Sequence, residues 1–160
     1  LRPTSARIRE TLFNWLAPSV EGSRCLDLFA GTGALGLEAL SRGAAHVTFV
    51  DDDREALRAI RHNLDACGVA DRALVVAARV ERWLAARRPG DPPLDLAFCD
   101  PPYAFDGWED LLATVPAALV VAEASGPVAV PAGRSLVRES RYGGTWVGFI
   151  VSPSMPGSPG

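Results

Sequence analysis

Two rhythms of apolar and polar residues run along this chain. Short runs that are apolar almost throughout occur at 24–30 (R-C-L-D-L-F-A), 46–51 (H-V-T-F-V-D), 73–78 (A-L-V-V-A-A), 94–100 (L-D-L-A-F-C-D) and 118–123 (A-L-V-V-A-E). Such runs predict strands buried on both faces. Between them the apolar residues fall three and four apart, which predicts helices. G-T-G-A-L-G-L-E-A-L-S-R-G at 31–43 reads as a glycine-rich turn entering a helix that stops at Gly43. Residues 53–68 read as an amphipathic helix, and 80–88 and 108–113 as shorter ones. Ahead of the first strand, residues 4–16 place Ile8, Leu12, Trp15 and Leu16 on one helical stripe, with a turn expected at A-P-S-V-E-G-S. Near the end, 135–142 and 145–151 flank Gly143-Gly144 as the arms of a hairpin.

Strands alternating with helices give βαβ units and a parallel sheet covered on both faces. The expected fold is a doubly wound, mostly parallel Rossmann-like α/β domain with an antiparallel C-terminal hairpin. It is expected as a single domain over 1–151, followed by a disordered tail at 152–160. Ligands of such sheets bind beyond the carboxyl ends of the strands.

Composition adds limits. A length of 160 residues fits one domain with a full core. A formal net charge of −3 argues against gripping nucleic acid with the whole surface, while leaving room for a local basic patch. All 16 basic residues are Arg, so every cation can make bidentate contacts to phosphate. Cys25, Cys67 and Cys99 have no metal-ligand spacing; no metal is expected, and they read as small buried hydrophobes of a reducing cytosol. No signal peptide is visible at L-R-P-T and no apolar run reaches the ~18 residues of a membrane span. The expectation is a cytoplasmic monomer, with residues to be expected upstream because no initiating Met is present.

Chemistry enters at two places. Gly31, Gly33 and Gly36 fit G-x-G-x-x-G between a strand and a helix, and Asp51 ends the next strand, where an acid can hold ribose hydroxyls. Asp27 lies just ahead of that turn, in D-L-F-A-G-T-G. An acid there would repel a pyrophosphate and suits a cationic ligand, such as the ammonium and sulfonium of S-adenosylmethionine. The same carboxylate can also hold the turn by hydrogen bonds. Asp53 reads as the N-cap of the following helix and Asp52 as solvated.

The second place is D-P-P-Y at 100–103. An exocyclic amine on a base is a poor nucleophile, because its lone pair is conjugated into the ring. Two fixed hydrogen-bond acceptors favour a tetrahedral nitrogen with its lone pair turned to a methyl donor. The Asp100 carboxylate and the Pro101 carbonyl supply them, with the backbone locked by Pro101 and Pro102. Tyr103 would stack on a base drawn out of its helix.

Asp-x-x-x-Gly-x-Gly resembles motif I of class I methyltransferases, and Asp-Pro-Pro-Tyr resembles motif IV of amino-methyltransferases. The stretches R-P-T-S-A-R-I-R-E-T-L-F-N-W-L, D-L-F-A-G-T-G-A-L-G-L-E-A-L-S-R-G-A and D-P-P-Y together resemble the RsmD-like family, as does R-Y-G-G-T in the closing hairpin. That resemblance implies methylation of guanine N2 in small-subunit (16S) ribosomal RNA, in a 30S subunit or an assembly intermediate, with S-adenosylmethionine as donor. It implies that Phe29, Ala30, Gly31, Thr32 and Gly33 cradle the cofactor together with Asp27, Asp51 and Asp100. Asp100 to Tyr103 would form the base site, and Arg2, Thr4, Arg7 and Arg9 would lie in a segment facing RNA.

Two departures from the family are visible. The short β-rich segment that precedes R-P-T in relatives is absent, so a weakened grip on RNA is expected. The acid that often follows strand three is replaced by A-A-R-V-E-R, with Arg79 near its place and Glu81 already on the helix. His46, His62, Trp83, Trp108 and Trp146 read as structural, and Glu123 as a strand end that could line the cleft. Other readings keep part of the chemistry: an adenine-N6 or glutamine-amide methyltransferase, a binding module without turnover, or a nicotinamide oxidoreductase. The leading helix disfavours the first, the intact Asp100 corner the second, and Asp27 with the proline pair the third.

Overall fold

A computed structural model describes residues 5–152. The helix α1 (Ala6–Val20) precedes β1 (Arg24–Leu28), α2 (Ala34–Ser41), β2 (His46–Asp51), α3 (Arg54–Ala66), β3 (Ala73–Ala77) and α4 (Val80–Ala86). Then come β4 (Leu94–Cys99), α5 (Trp108–Thr114), β5 (Ala117–Ala124), β6 (Ser135–Tyr142) and β7 (Thr145–Val151). One seven-stranded sheet runs β3-β2-β1-β4-β5-β7-β6. The first five strands are parallel, and β7 is antiparallel to both β5 and β6. The expected doubly wound sheet with an antiparallel hairpin is therefore the fold observed. Because β7 inserts between β5 and β6, the hairpin enters the sheet by its second arm.

Side chains of each buried strand alternate between two cores. Cys25, Val47, Phe49, Leu96, Phe98 and Val121 face α1, α2 and α3. Leu26, Val50, Ala97, Cys99, Val120 and Ala122 face α4 and α5. This double burial explains why the strand sequences read as nearly continuous apolar runs.

The first helix differs from its expected form. It continues four residues beyond Leu16, through Pro18, and its fully buried positions are Leu12, Phe13, Leu16 and Val20. Pro18 removes one N–H bond in the last turn, where residues 17–19 face solvent, and burial of Val20 carries the chain past it. Phe13 belongs to the buried stripe and packs on Phe98 at a centroid distance of 5.5 Å. Cys67 is another departure: it is exposed at the C-cap of α3, whereas Cys25 and Cys99 are buried as expected.

Burial pushes the Cys25 thiol up to about 11 and raises that of Cys99 further, which disfavours the thiolate at both. Trp146 is buried and donates to Glu139 at 3.1 Å. Trp108 is a core residue of α5, and Trp83 carries the Arg87 guanidinium over its ring at 5.3 Å. Among the described residues no helix is long and apolar enough to cross a membrane, and no cluster of His, Cys, Asp or Glu could hold a metal. The tail expected at 152–160 lies outside the described residues except Ser152, whose N–H donates to Ala118 at 3.0 Å.

Candidate functional site

The carboxyl ends of β1 and β4 lie side by side, with Leu28 in register with Cys99. The sequence beyond each end is what makes the site. After Leu28 the chain leaves the strand at Phe29, whose φ is +57°, a left-handed value unusual for a bulky residue. Gly31 and Gly33 continue the turn at φ +59° and +80°, and Gly33 caps α2. The strand expected at 24–30 therefore ends two residues early, because the turn begins at Phe29.

Three hydrogen bonds fix the turn. The Gly33 N–H donates to the Ala30 carbonyl at 2.8 Å, and the Ala30 N–H reaches the Val50 carbonyl at 3.2 Å. The Gly31 N–H donates to Asp51 Oδ2 at 2.9 Å. Asp51 also accepts the Asp53 N–H on Oδ1 at 2.9 Å, and Asp53 caps α3 through the Ala56 N–H at 3.0 Å. A carboxylate offers about four lone-pair sites, so Asp51 keeps acceptor capacity for hydroxyl groups. Thr32 anchors the other side of the turn, its carbonyl accepting from Asn63 at 3.3 Å.

The third glycine is a packing residue. A Cβ on Gly36 would come within 2.3 Å of the Phe49 ring, so α2 lies on β2 as closely as backbone allows. Its N–H donates to Asp27 Oδ2 at 3.0 Å. Asp27 is 3% exposed, and burial holds its carboxyl well above the usual carboxylate range, with the Gly36 bond pulling the other way. Asp100, Glu123 and Asp51 add to the rise. Four acids from β1, β2, the end of β4 and β5 thus share one edge of the sheet. Among the described residues Asp27 has no cation within ion-pair distance.

Beyond β4 come Asp100, Pro101, Pro102 and Tyr103. The Pro102 carbonyl accepts the Phe105 N–H at 2.9 Å, closing a turn that carries Tyr103 outward, 75% exposed. Cys99 pairs with Ala122 on β5, and Asp100 and Glu123 each come one residue after that pair. Phe105 lies back against the glycine turn: its ring centroid is 5.6 Å from that of Phe29 and 5.6 Å from that of Trp108. The sequence offered no signal for this aromatic bridge, because neither Phe105 nor its loop carries a motif.

The remaining predicted residues separate. Arg9 is 3.5 Å from Glu38, which also holds Arg42 at 2.8 Å, so it joins α1 to α2. Arg7 is exposed and lines a groove between α1 and the β6–β7 turn. Arg2 and Thr4 lie outside the described residues. Arg79 is the N-cap of α4 and reaches Glu81 at 3.8 Å. On α3, Arg54, Arg58 and Arg61 line a second shallow groove, a basic stripe that spacing alone could have revealed.

The family described as Conserved hypothetical protein 95 matches residues 1–150. Ribosomal RNA small subunit methyltransferase D of Haemophilus influenzae is 35% identical over 152 residues, covering 89% of this chain and 79% of that one. The protein of the same name from Escherichia coli K12 is 48% identical over 103 residues, 64% of this chain, a match that spans half of the relative's length. The solved structure of yhhF from Escherichia coli superposes with a TM-score of 0.85 at 38% identity, over 97% of this chain and 89% of that one. The chain belongs to this family, the RsmD-like group described as Conserved hypothetical protein 95.

Proposed function

We propose that this chain transfers a methyl group from S-adenosylmethionine to the exocyclic N2 amine of a guanine in small-subunit ribosomal RNA. The observation that carries the reading is the adjacency of β1 and β4, which sets the turn at Phe29–Gly33 beside the corner at Asp100–Tyr103. The names of the relatives support the RNA acceptor.

The residues at the turn fit S-adenosylmethionine. Asp27 is a buried carboxyl group held above its usual range by burial and by Asp100, Glu123 and Asp51, so ionising it is costly without a cation close by. A ligand with an ammonium and a sulfonium would offset that charge. Asp51 would take ribose hydroxyls on its free lone pairs, and the left-handed glycines let backbone approach the ligand. When bound, the cofactor supplies an electrophilic methyl group carried on its sulfonium.

The corner holds the acceptor. Asp100 and the Pro101 carbonyl accept the two N–H bonds of the amine and favour a tetrahedral nitrogen. Proline fixes φ on both sides of that carbonyl, so the acceptors are set before the base arrives. Tyr103, thrown outward by its turn, offers a face on which the extruded base stacks. The chain would act on a 30S subunit or an assembly intermediate, as a monomer of the cytoplasm.

The test is incubation with labelled S-adenosylmethionine and undermethylated 30S subunits, followed by nucleoside analysis of the RNA. Label in N2-methylguanosine supports the reading. Label in N6-methyladenosine moves the acceptor to adenine, and no label in RNA overturns the proposal.

A further inference from the structure

The closing hairpin carries R-Y-G-G-T, a motif with no part in the site described so far. Its position gives it one. The strand β7 runs antiparallel to β5, with Ala124 opposite Trp146 and Glu123 opposite Val147. The turn at Gly143-Gly144 therefore stands at the carboxyl edge of the parallel strands, the edge that carries Asp100. The helix α1 runs the other way, from this edge down to Val20 and the start of β1, so its first two turns stand there as well. Phe13 on Phe98, two residues before Asp100, fixes its height.

Between these two elements lies a groove of about 410 Å³, lined by Arg7, Ile8, Thr11, Tyr142 and Gly143. Its lining combines four chemistries. Arg7 is an exposed guanidinium and, among the described residues, has no ion-pair partner. Tyr142 presents an aromatic ring that is half buried against the α1 side of the core. Thr11 donates its hydroxyl hydrogen to the Arg7 carbonyl at 3.0 Å, which leaves its oxygen only as an acceptor. Gly143 has φ +59°, and a Cβ there would meet nothing within 4 Å, so the floor is open backbone.

We infer that this groove seats a nucleotide that flanks the target base. The Tyr142 ring takes the neighbouring base, Arg7 takes a phosphate, and the Thr11 oxygen accepts from a ribose 2′-hydroxyl. A cation for phosphate, a ring for a base and an acceptor for the 2′-hydroxyl together describe ribonucleotide rather than deoxyribonucleotide. Strands stand about 4.8 Å apart, so β6 lies about 15 Å from β4, a few nucleotides along a single strand. The inference rests on the proposed methyl transfer to RNA and adds the place where the strand beside the target is held.

Steady-state transfer to undermethylated 30S subunits tests it, using Tyr142→Ala, Tyr142→Phe and Arg7→Ala beside the unaltered chain. The expected result is a KM for the subunit about 10-fold higher in Tyr142→Ala and in Arg7→Ala. The Phe variant restores the KM, and S-adenosylmethionine affinity by calorimetry is the same in all four proteins. Arg7 is exposed, so its variant keeps the test open should Tyr142→Ala fold poorly. Transfer by the unaltered chain with an unchanged KM in Arg7→Ala and in any folded Tyr142→Ala overturns the groove and leaves the methyltransferase reading standing. No transfer by the unaltered chain overturns both.

Discussion

Phe29 and Phe105 meet with ring centroids 5.6 Å apart, one at the head of the glycine turn and the other just past the Asp-Pro-Pro-Tyr corner. The two halves of the candidate site are thus joined by a contact as well as by strand register. Phe29 holds φ at +57°, a conformation that costs of order 1–3 kcal/mol in a non-glycine residue and persists only where its surroundings enforce it. Phe105 in turn abuts Trp108 of α5, which is buried. The strain at the turn is therefore balanced by an aromatic row that runs into the core.

Removing that row should loosen the corner without removing any acceptor. Phe105→Ala is expected to lower kcat for methyl transfer about 10-fold or more, because small misplacements of reacting groups cost rate steeply. Affinity for S-adenosylmethionine should fall less than kcat. Single-turnover kinetics beside calorimetry separates the two, and an unchanged kcat would show that the row has no part in positioning the corner.

Asp27 makes a pH prediction. Its carboxyl is held above the ordinary range chiefly by burial, so between that range and its raised value the folded chain keeps a proton that the unfolded chain has lost. Stability then falls as pH rises through this window. Asp27→Asn keeps an acceptor for the Gly36 N–H and does not titrate. Relative to the unaltered chain, the variant should gain stability as pH is raised above the ordinary carboxylate value of about 4. Thermal melting across this range reads the difference, and a difference independent of pH contradicts the assignment.

Gly36 is fixed by the Phe49 ring, which is fully buried and meets a new Cβ at 2.3 Å. Gly36→Ala should destabilise by about 1–3 kcal/mol, the usual range for overpacking. Adding Phe49→Leu should recover part of the loss in the same denaturant titration. Two losses that simply add would mean the residues do not clash.

Asp51 holds both the Gly31 and the Asp53 N–H groups. Asp51→Ala should weaken S-adenosylmethionine binding about 10-fold or more, by removing a charge-assisted acceptor and unfastening the turn. Calorimetry measures it, and cofactor affinity equal to that of the unaltered chain would place the ribose elsewhere.

Much of this was legible beforehand. Strands buried on both faces announce themselves as apolar runs, and β2, β6 and β7 begin and end where the pattern put them. The N-cap at Asp53 was readable because a short acid before a helical stripe has few other roles. What escaped was set by tertiary contact. Phe29 leaves the strand because the turn to Gly31 and Gly33 starts there, and α1 outruns its stripe because Val20 finds a buried place. The Phe29–Phe105 contact joins residues far apart in sequence with no shared motif. Glu123 was legible as a strand end that could line the cleft, and its place one residue past Ala122, as Asp100 is one past Cys99, comes from the register of β4 and β5.

Whether the Asp100 corner holds the amine is read by a single-turnover measurement with Asp100→Ala, undermethylated 30S subunits and labelled S-adenosylmethionine. Transfer should slow by about 10²–10³-fold, by analogy with the loss of one preorganised polar partner, while cofactor affinity stays close to that of the unaltered chain. Transfer at the unaltered rate would contradict the assignment of the Asp100 corner as the place where the amine is held.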